Sequence, residues 1–119
     1  MNNQQILDTL IKGKQRISDP KNWTQGAYAR DKFGVECSSG DEAAVCFCAL
    51  GAIENDVSFI KYREFNKAAQ ILDQAASEIS GWECKTGEYN DYNKHKDVLH
   101  LFNVAISIMK KQINEETQL

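Results

Sequence analysis

A chain of 119 residues with 42% hydrophobic and 26% charged residues, seven Gly and one Pro, has the size and composition of one globular domain, which excludes disordered and fibrous classes. A formal net charge of −3 argues against a nucleic-acid binder driven by bulk electrostatics, because phosphate contacts need clustered Lys and Arg, whereas Lys94, Lys96, Lys110 and Lys111 are few and flanked by acids. No apolar run of about eighteen residues exists and Met1–Gln5 has neither a basic region nor an apolar core, so the sequence predicts a cytoplasmic protein off the membrane with its four cysteines as reduced thiols.

Residues 4–17 place Ile6, Leu7, Leu10, Ile11 and Ile17 on one helical face, and Ser18-Asp19-Pro20 stops that helix because proline cannot donate to the ladder. Between Ala27 and Cys37 the period changes, and Lys32-Phe33-Gly34 between two short apolar–polar runs predicts a β-hairpin over about 27–37, with Trp23 or Phe33 as its anchor. The next stretch, 41–54, is apolar on nearly every side and predicts a buried central helix. Its start is set by Ser39-Gly40-Asp41-Glu42, which matches a capping box. Gly51 within it has the use of letting another backbone approach closely.

Residues 59–80 repeat Phe65, Ala68, Ala69, Leu72, Ala75 or Ala76, and Ile79 at helical spacing, with Gly81 as the C-terminal cap and Trp82 folding back onto the last turn. The polar interval 83–92 predicts a loop. A last helix follows over 93–113, with one stripe through Val98, Phe102, Ala105 and Met109 and a second through Leu101, Val104 and Ile108. The second stripe makes this helix central as well, or gives the surface of a homodimer; beyond about residue 114 the tail should fray. The fold class expected for the single domain 1–119 is mainly α with a small β part (α+β): about four helices around a buried one, with a hairpin.

Trp23-Thr24-Gln25-Gly26-Ala27-Tyr28-Ala29-Arg30-Asp31, then Cys48-Ala49-Leu50-Gly51-Ala52, then Asn90-Asp91 ahead of a helix resembles a small bacterial and bacteriophage family of unknown function. The resemblance spans Trp23 to Ile106 and implies a cytoplasmic protein in a phage or bacterial setting, with no activity assigned. Its recurring polar residues fall on Gln25, Arg30, Asp31, Cys48, Asn90 and Asp91, which become candidates for one shared site.

Chemistry narrows this further. Cys46 and Cys48 on a helix would point about 200° apart, and Cys37 and Cys84 each stand alone, so no metal or cofactor is expected. Phosphate-loop spacings are absent, and 41–54 is too apolar for a DNA-recognition helix. The enzymatic alternative is a small cysteine hydrolase or transferase, with Cys48 as nucleophile, His95 or His100 as base, and Asp91 or Asn90 orienting it. Against it, a thiol in the middle of an apolar helix should be inert. The sequence therefore favours a non-enzymatic helical module that binds a protein partner and inhibits or adapts a larger host assembly. The binding residues expected are Trp23, Gln25, Tyr28, Arg30, Asp31, Asn90 and Asp91, with Gln25, Tyr28 and Arg30 as the exposed surface.

Overall fold

The long amphipathic stretches become the long helices, and the short apolar ones are decided by what they pair with. The computed structural model describes residues 3–55 and 62–117. In chain order its elements are α1 (Asn3–Arg16), a 3-10 turn (Pro20–Asn22), β1 (Ala29–Arg30), β2 (Glu36–Cys37), β3 (Cys46–Phe47), α2 (Ala49–Asn55), α3 (Tyr62–Ser80), α4 (Thr86–Tyr92) and α5 (His95–Thr117). The class is the expected one, mainly helical with a small antiparallel sheet.

Helix α1 buries Ile6, Leu7 and Leu10 and ends before Asp19, whose carboxylate accepts from the Lys21 N–H at 3.0 Å to start the 3-10 turn at Pro20. Helix α5 lies against both α1 and α3. It buries Val98, Leu101, Phe102, Ala105 and Met109, while Val104 and Ile108 are partly covered by the same core. Of its second stripe, Leu101 is thus buried, while Val104 and Ile108 are half-buried and also line an open groove with Gln74 and His100. The helix runs to Thr117, and the Asn3 amide donates to the Glu116 carboxylate across the start of α1. Each fully buried side chain, such as Leu10, Ile53, Leu72 or Phe102, contributes about 1.5–3 kcal/mol to this core.

Helix α3 buries Ala68, Leu72, Ala75 and Ala76 and is capped by Gly81, which takes φ +84° and donates its N–H to the Ser77 carbonyl at 2.9 Å. Trp82 does not fold back: its side chain stands out into solvent, 74% exposed. The expected start of this helix, residues 59–61, and Asp56 at the expected end of the preceding one lie outside the described residues.

The hairpin forms as expected, with Ala29 opposite Cys37 and Arg30 opposite Glu36, but Phe33 at its tip is 78% exposed and anchors nothing. Trp23 is the anchor, through a bridge to Phe47.

Two whole elements also differ from expectation. Residues 41–54 are not one helix: Asp41–Ala44 is a turn, Cys46–Phe47 adds as a third strand on the free edge of β1, and the helix starts only at Ala49. Sheet order is β2-β1-β3, with the Val45 N–H donating to the Arg30 carbonyl at 2.9 Å and the Cys48 N–H to the Tyr28 carbonyl at 3.1 Å. A short apolar run suits a buried strand as well as a helix, and an open sheet edge beside Val45-Cys46-Phe47 decides for the strand. Ser39 accordingly caps nothing at Glu42; its hydroxyl donates to Glu54, and its carbonyl accepts from the Asn55 amide at 2.6 Å, which ties the turn to the far end of α2.

The second difference is the loop 83–92, most of which is α4. Lys85 at its N-cap offers no capping side chain. Asp73, on α3, supplies the cap instead, accepting from the Thr86 N–H at 2.8 Å and the Thr86 hydroxyl at 2.6 Å. A helix seeded by a carboxylate thirteen residues away leaves no local signature.

Candidate functional site

Asn90, fully buried near the end of α4, is the centre of the polar residues singled out from the sequence. Its carbonyl oxygen accepts from the Trp23 indole N–H at 2.8 Å and from the Ala49 N–H at 3.0 Å, so it caps α2 as well as holding Trp23. Its amide donates to the Thr24 carbonyl and to the Asp91 carboxylate, both at 3.1 Å. All four hydrogen-bonding positions of the side chain are thereby used.

Around it the loop Trp23–Gly26 is laced to the end of α4. The Gln25 amide donates to the carbonyls of Asn90 (3.0 Å), Asp91 (3.2 Å) and Asn93 (2.8 Å), groups the helix itself leaves without partners. Asp91 accepts from the Gly26 N–H at 2.9 Å. Arg30 reaches back from β1: its guanidinium donates to the Thr24 hydroxyl, the Gln25 carbonyl and the Gly34 carbonyl, each at 3.1 Å. Asp31 closes the hairpin turn, its carboxylate accepting from the Phe33 N–H at 2.8 Å and the Val35 N–H at 3.0 Å. Among the described residues no buried side-chain nitrogen or oxygen lacks a partner.

Six of these residues thus meet: Trp23, Gln25, Arg30, Asn90 and Asp91 in one network, with Cys48 beside it through Ala49. Asp31 stands apart at the turn, and Tyr28 is half exposed beside Cys48 and Asp91. Thr24 is a working member that the sequence shows only as part of the motif run, and Glu36, which reaches the same surface from β2, carries no signal in its neighbours.

Cys48 is not in the middle of a helix but at its threshold. It is the residue before α2, its carbonyl accepts from the Ala52 N–H at 2.8 Å, and its sulfur accepts from the Gly51 N–H at 3.3 Å. Cys46 and Cys48 therefore do not share a helix, since Cys46 is in β3 with its thiol against the Arg30 carbonyl at 3.9 Å. All four cysteines are free, and no three His, Cys, Asp or Glu side chains among the described residues come together as metal ligands would. Cys48 opens onto a cleft of about 360 Å³ lined also by Tyr28, Glu36, Leu50 and Asp91.

Burial pushes the Cys48 thiol above its ordinary value of 9.0, and the Asp91 charge adds to that, with the Gly51 and Leu50 N–H groups pulling the other way. Neither histidine lines the cleft. The His95 Nε2–H donates to the Ile17 carbonyl at 2.6 Å and its ring lies 5.5 Å from that of Trp23, while His100 lines a groove with Gln74 and Glu78.

Alkylation of Cys48 by iodoacetamide at about pH 7.5 is expected to be at least about ten-fold slower in the folded protein than in the unfolded chain. Because the folded thiol holds its proton longer than the unfolded one, its contribution to stability is complete below the unfolded value and is lost as pH rises through the higher folded value. Cys48→Ser keeps an acceptor for the Gly51 N–H, so alkaline denaturation curves of the variant should fall less steeply than those of the parent; identical curves would contradict the assignment.

A family model described as "family of unknown function (DUF6197)" matches residues 1–108, and the chain belongs to that family. No curated protein and no solved structure shows significant similarity to it. No helix among the described residues is long and apolar enough to cross a membrane.

Proposed function

We propose that this protein acts by contact, as a non-enzymatic module that binds a protein partner. In the bacterial or phage cytoplasm implied by the motif resemblance, that partner belongs to a larger host assembly which the protein inhibits or adapts. The observation that carries this reading is the display of large apolar side chains on the small sheet. Phe33, Val35 and Val45 all stand exposed around the hairpin tip, and Tyr28, just before β1, is half exposed on the Cys48 cleft.

Exposed apolar side chains gathered on a rigid support are the usual mark of a contact surface. Here the support is the network of Trp23, Gln25, Arg30, Asn90 and Asp91, with Asp31 closing the hairpin turn, all of them engaged in hydrogen bonds within the molecule. Those residues brace the surface, and Tyr28 belongs to the surface itself. The cysteine-enzyme alternative has Asp91 beside Cys48 but no histidine on the cleft, and its thiol is held protonated.

The test is recovery of a partner from bacterial lysate by immobilised protein, followed by reconstitution from purified components. Wild type and Cys48→Ser should recover one discrete partner at near-equal stoichiometry. Phe33→Asp with Val35→Asp should lose it by about thirty-fold, the effect of removing a hot spot worth about 2 kcal/mol. Equal recovery by the double variant, with an unchanged circular-dichroism spectrum, would overturn the reading.

A further inference from the structure

A second surface lies away from the hairpin, where the end of α3, α4 and the first turn of α5 enclose an open cleft of about 540 Å³. Its aromatic side chains include Trp82 and Tyr92, which are 74% and 83% exposed, and its apolar floor includes Ile79 and the buried ring of Tyr89. Glu88 and Asp97 bring two carboxylates to it, and no Lys, Arg or His lines it.

Both exposed rings stand on fixed backbone. Gly81 ends α3 in the left-handed conformation and the Ser80 hydroxyl donates to the Trp82 carbonyl at 3.1 Å, so the indole is carried outward by a defined turn. Tyr92 is the last residue of α4, whose C-terminus is closed by the Asn93 amide donating to the Tyr89 carbonyl at 2.9 Å. Asp97 uses Oδ2 to accept from the Lys94 N–H at 3.1 Å, and its Oδ1 makes no hydrogen bond among the described residues.

The negative field is felt by the groups at the floor. Burial raises the Tyr89 hydroxyl and the Cys84 thiol above their ordinary values, with the Asp97 charge adding to the first and Glu88 to the second. Exposed aromatic faces beside carboxylates, with no cation of the chain among them, complement a flat cation.

We infer that this cleft is a recognition site for a guanidinium group, the arginine side chain of a basic segment on another protein. Guanidinium is planar and weakly hydrated, so it stacks on an indole or phenol face while its N–H groups reach carboxylates in the same plane; an ammonium is compact and strongly hydrated and does the first poorly. The site is separate from the hairpin surface and does not depend on it.

The probe is the blocked peptide acetyl-Gly-Arg-Gly-amide, titrated into isotopically labelled full-length protein and followed at the two indole N–H resonances. The Trp82 resonance should shift saturably at or below about 10 mM peptide, and the Trp23 resonance, whose N–H is held by Asn90, should stay in place. The citrulline peptide, which is neutral but of the same shape, and the lysine peptide should each bind about ten-fold or more weakly. Glu88→Gln with Asp97→Asn, which leaves an acceptor for the Lys94 N–H, should weaken the arginine peptide by about ten-fold or more, and Phe33→Asp should leave it unchanged. Equal binding of citrulline, equal binding of lysine, no saturation, or a response unchanged by the carboxamide pair would each overturn the assignment; the peptide arms use the unaltered protein and hold whether or not a variant folds.

Discussion

Gly51→Ala is expected to unfold this protein, or to lower its stability by about 3 kcal/mol or more and its Tm by about 10–20 °C. A methyl group at that position would stand 2.0 Å from the Tyr28 carbonyl oxygen and 2.9 Å from its carbonyl carbon, where no side chain can be turned aside to make room. Nor can Tyr28 retreat. Its carbonyl accepts from the Cys48 N–H, and the strand that follows it is paired on both edges, to β2 and to β3. Removing the clash requires lifting the sheet from the first turn of α2, which also exposes Ala29 and Ala52, both fully buried.

Gly87→Ala is the matching control. It is also a helical glycine, but the nearest atom to an added methyl is the Leu50 Cδ1 at 4.0 Å, so the substitution should stabilise by about 0.5–1 kcal/mol through the entropy of the unfolded chain. Denaturant melts of the two variants should therefore move in opposite directions; stabilisation by both would mean that helix propensity, not backbone contact, governs position 51.

That contact was legible in the sequence, and the element around it was not. A glycine among alanines in an apolar run signals close approach whatever the local conformation, so the reading of Gly51 survives the loss of the helix assigned to 41–48. The three long helices were also legible, because a period sustained over three or more turns cannot be mistaken for a strand. Cys46-Phe47 and Thr86–Tyr92 were not, since one is made a strand by the edge of β1 and the other a helix by Asp73. Both causes are tertiary. The same limit applies to the candidate site: the motif residues do assemble, but residue type alone does not say whether an amide such as that of Gln25 turns outward to a ligand or inward to three carbonyls at the end of α4.

This distinction gives Asn90 its weight. Three segments distant in sequence, the Trp23–Gly26 loop, the start of α2 and the end of α4, are joined through one fully buried side chain. Asn90→Ala would leave the Trp23 indole N–H, the Ala49 N–H and the Thr24 carbonyl without their partner together. An orphaned buried group costs about 1–3 kcal/mol, and the three share one cavity, so the losses do not simply add; a fall of about 3–5 kcal/mol is expected. Asn90→Asp separates the two halves of the amide. The carboxylate can still accept from Trp23 and Ala49, but it cannot donate to Thr24, and it sets a second negative charge against Asp91. It should therefore cost less than Ala at low pH, where the carboxyl is protonated and can donate, and lose that advantage as pH rises through the carboxylate range. Urea melts of both variants at about pH 4 and pH 8 check this. If Asn90→Ala cost less than about 1 kcal/mol, the network would be a consequence of the fold and not one of its supports.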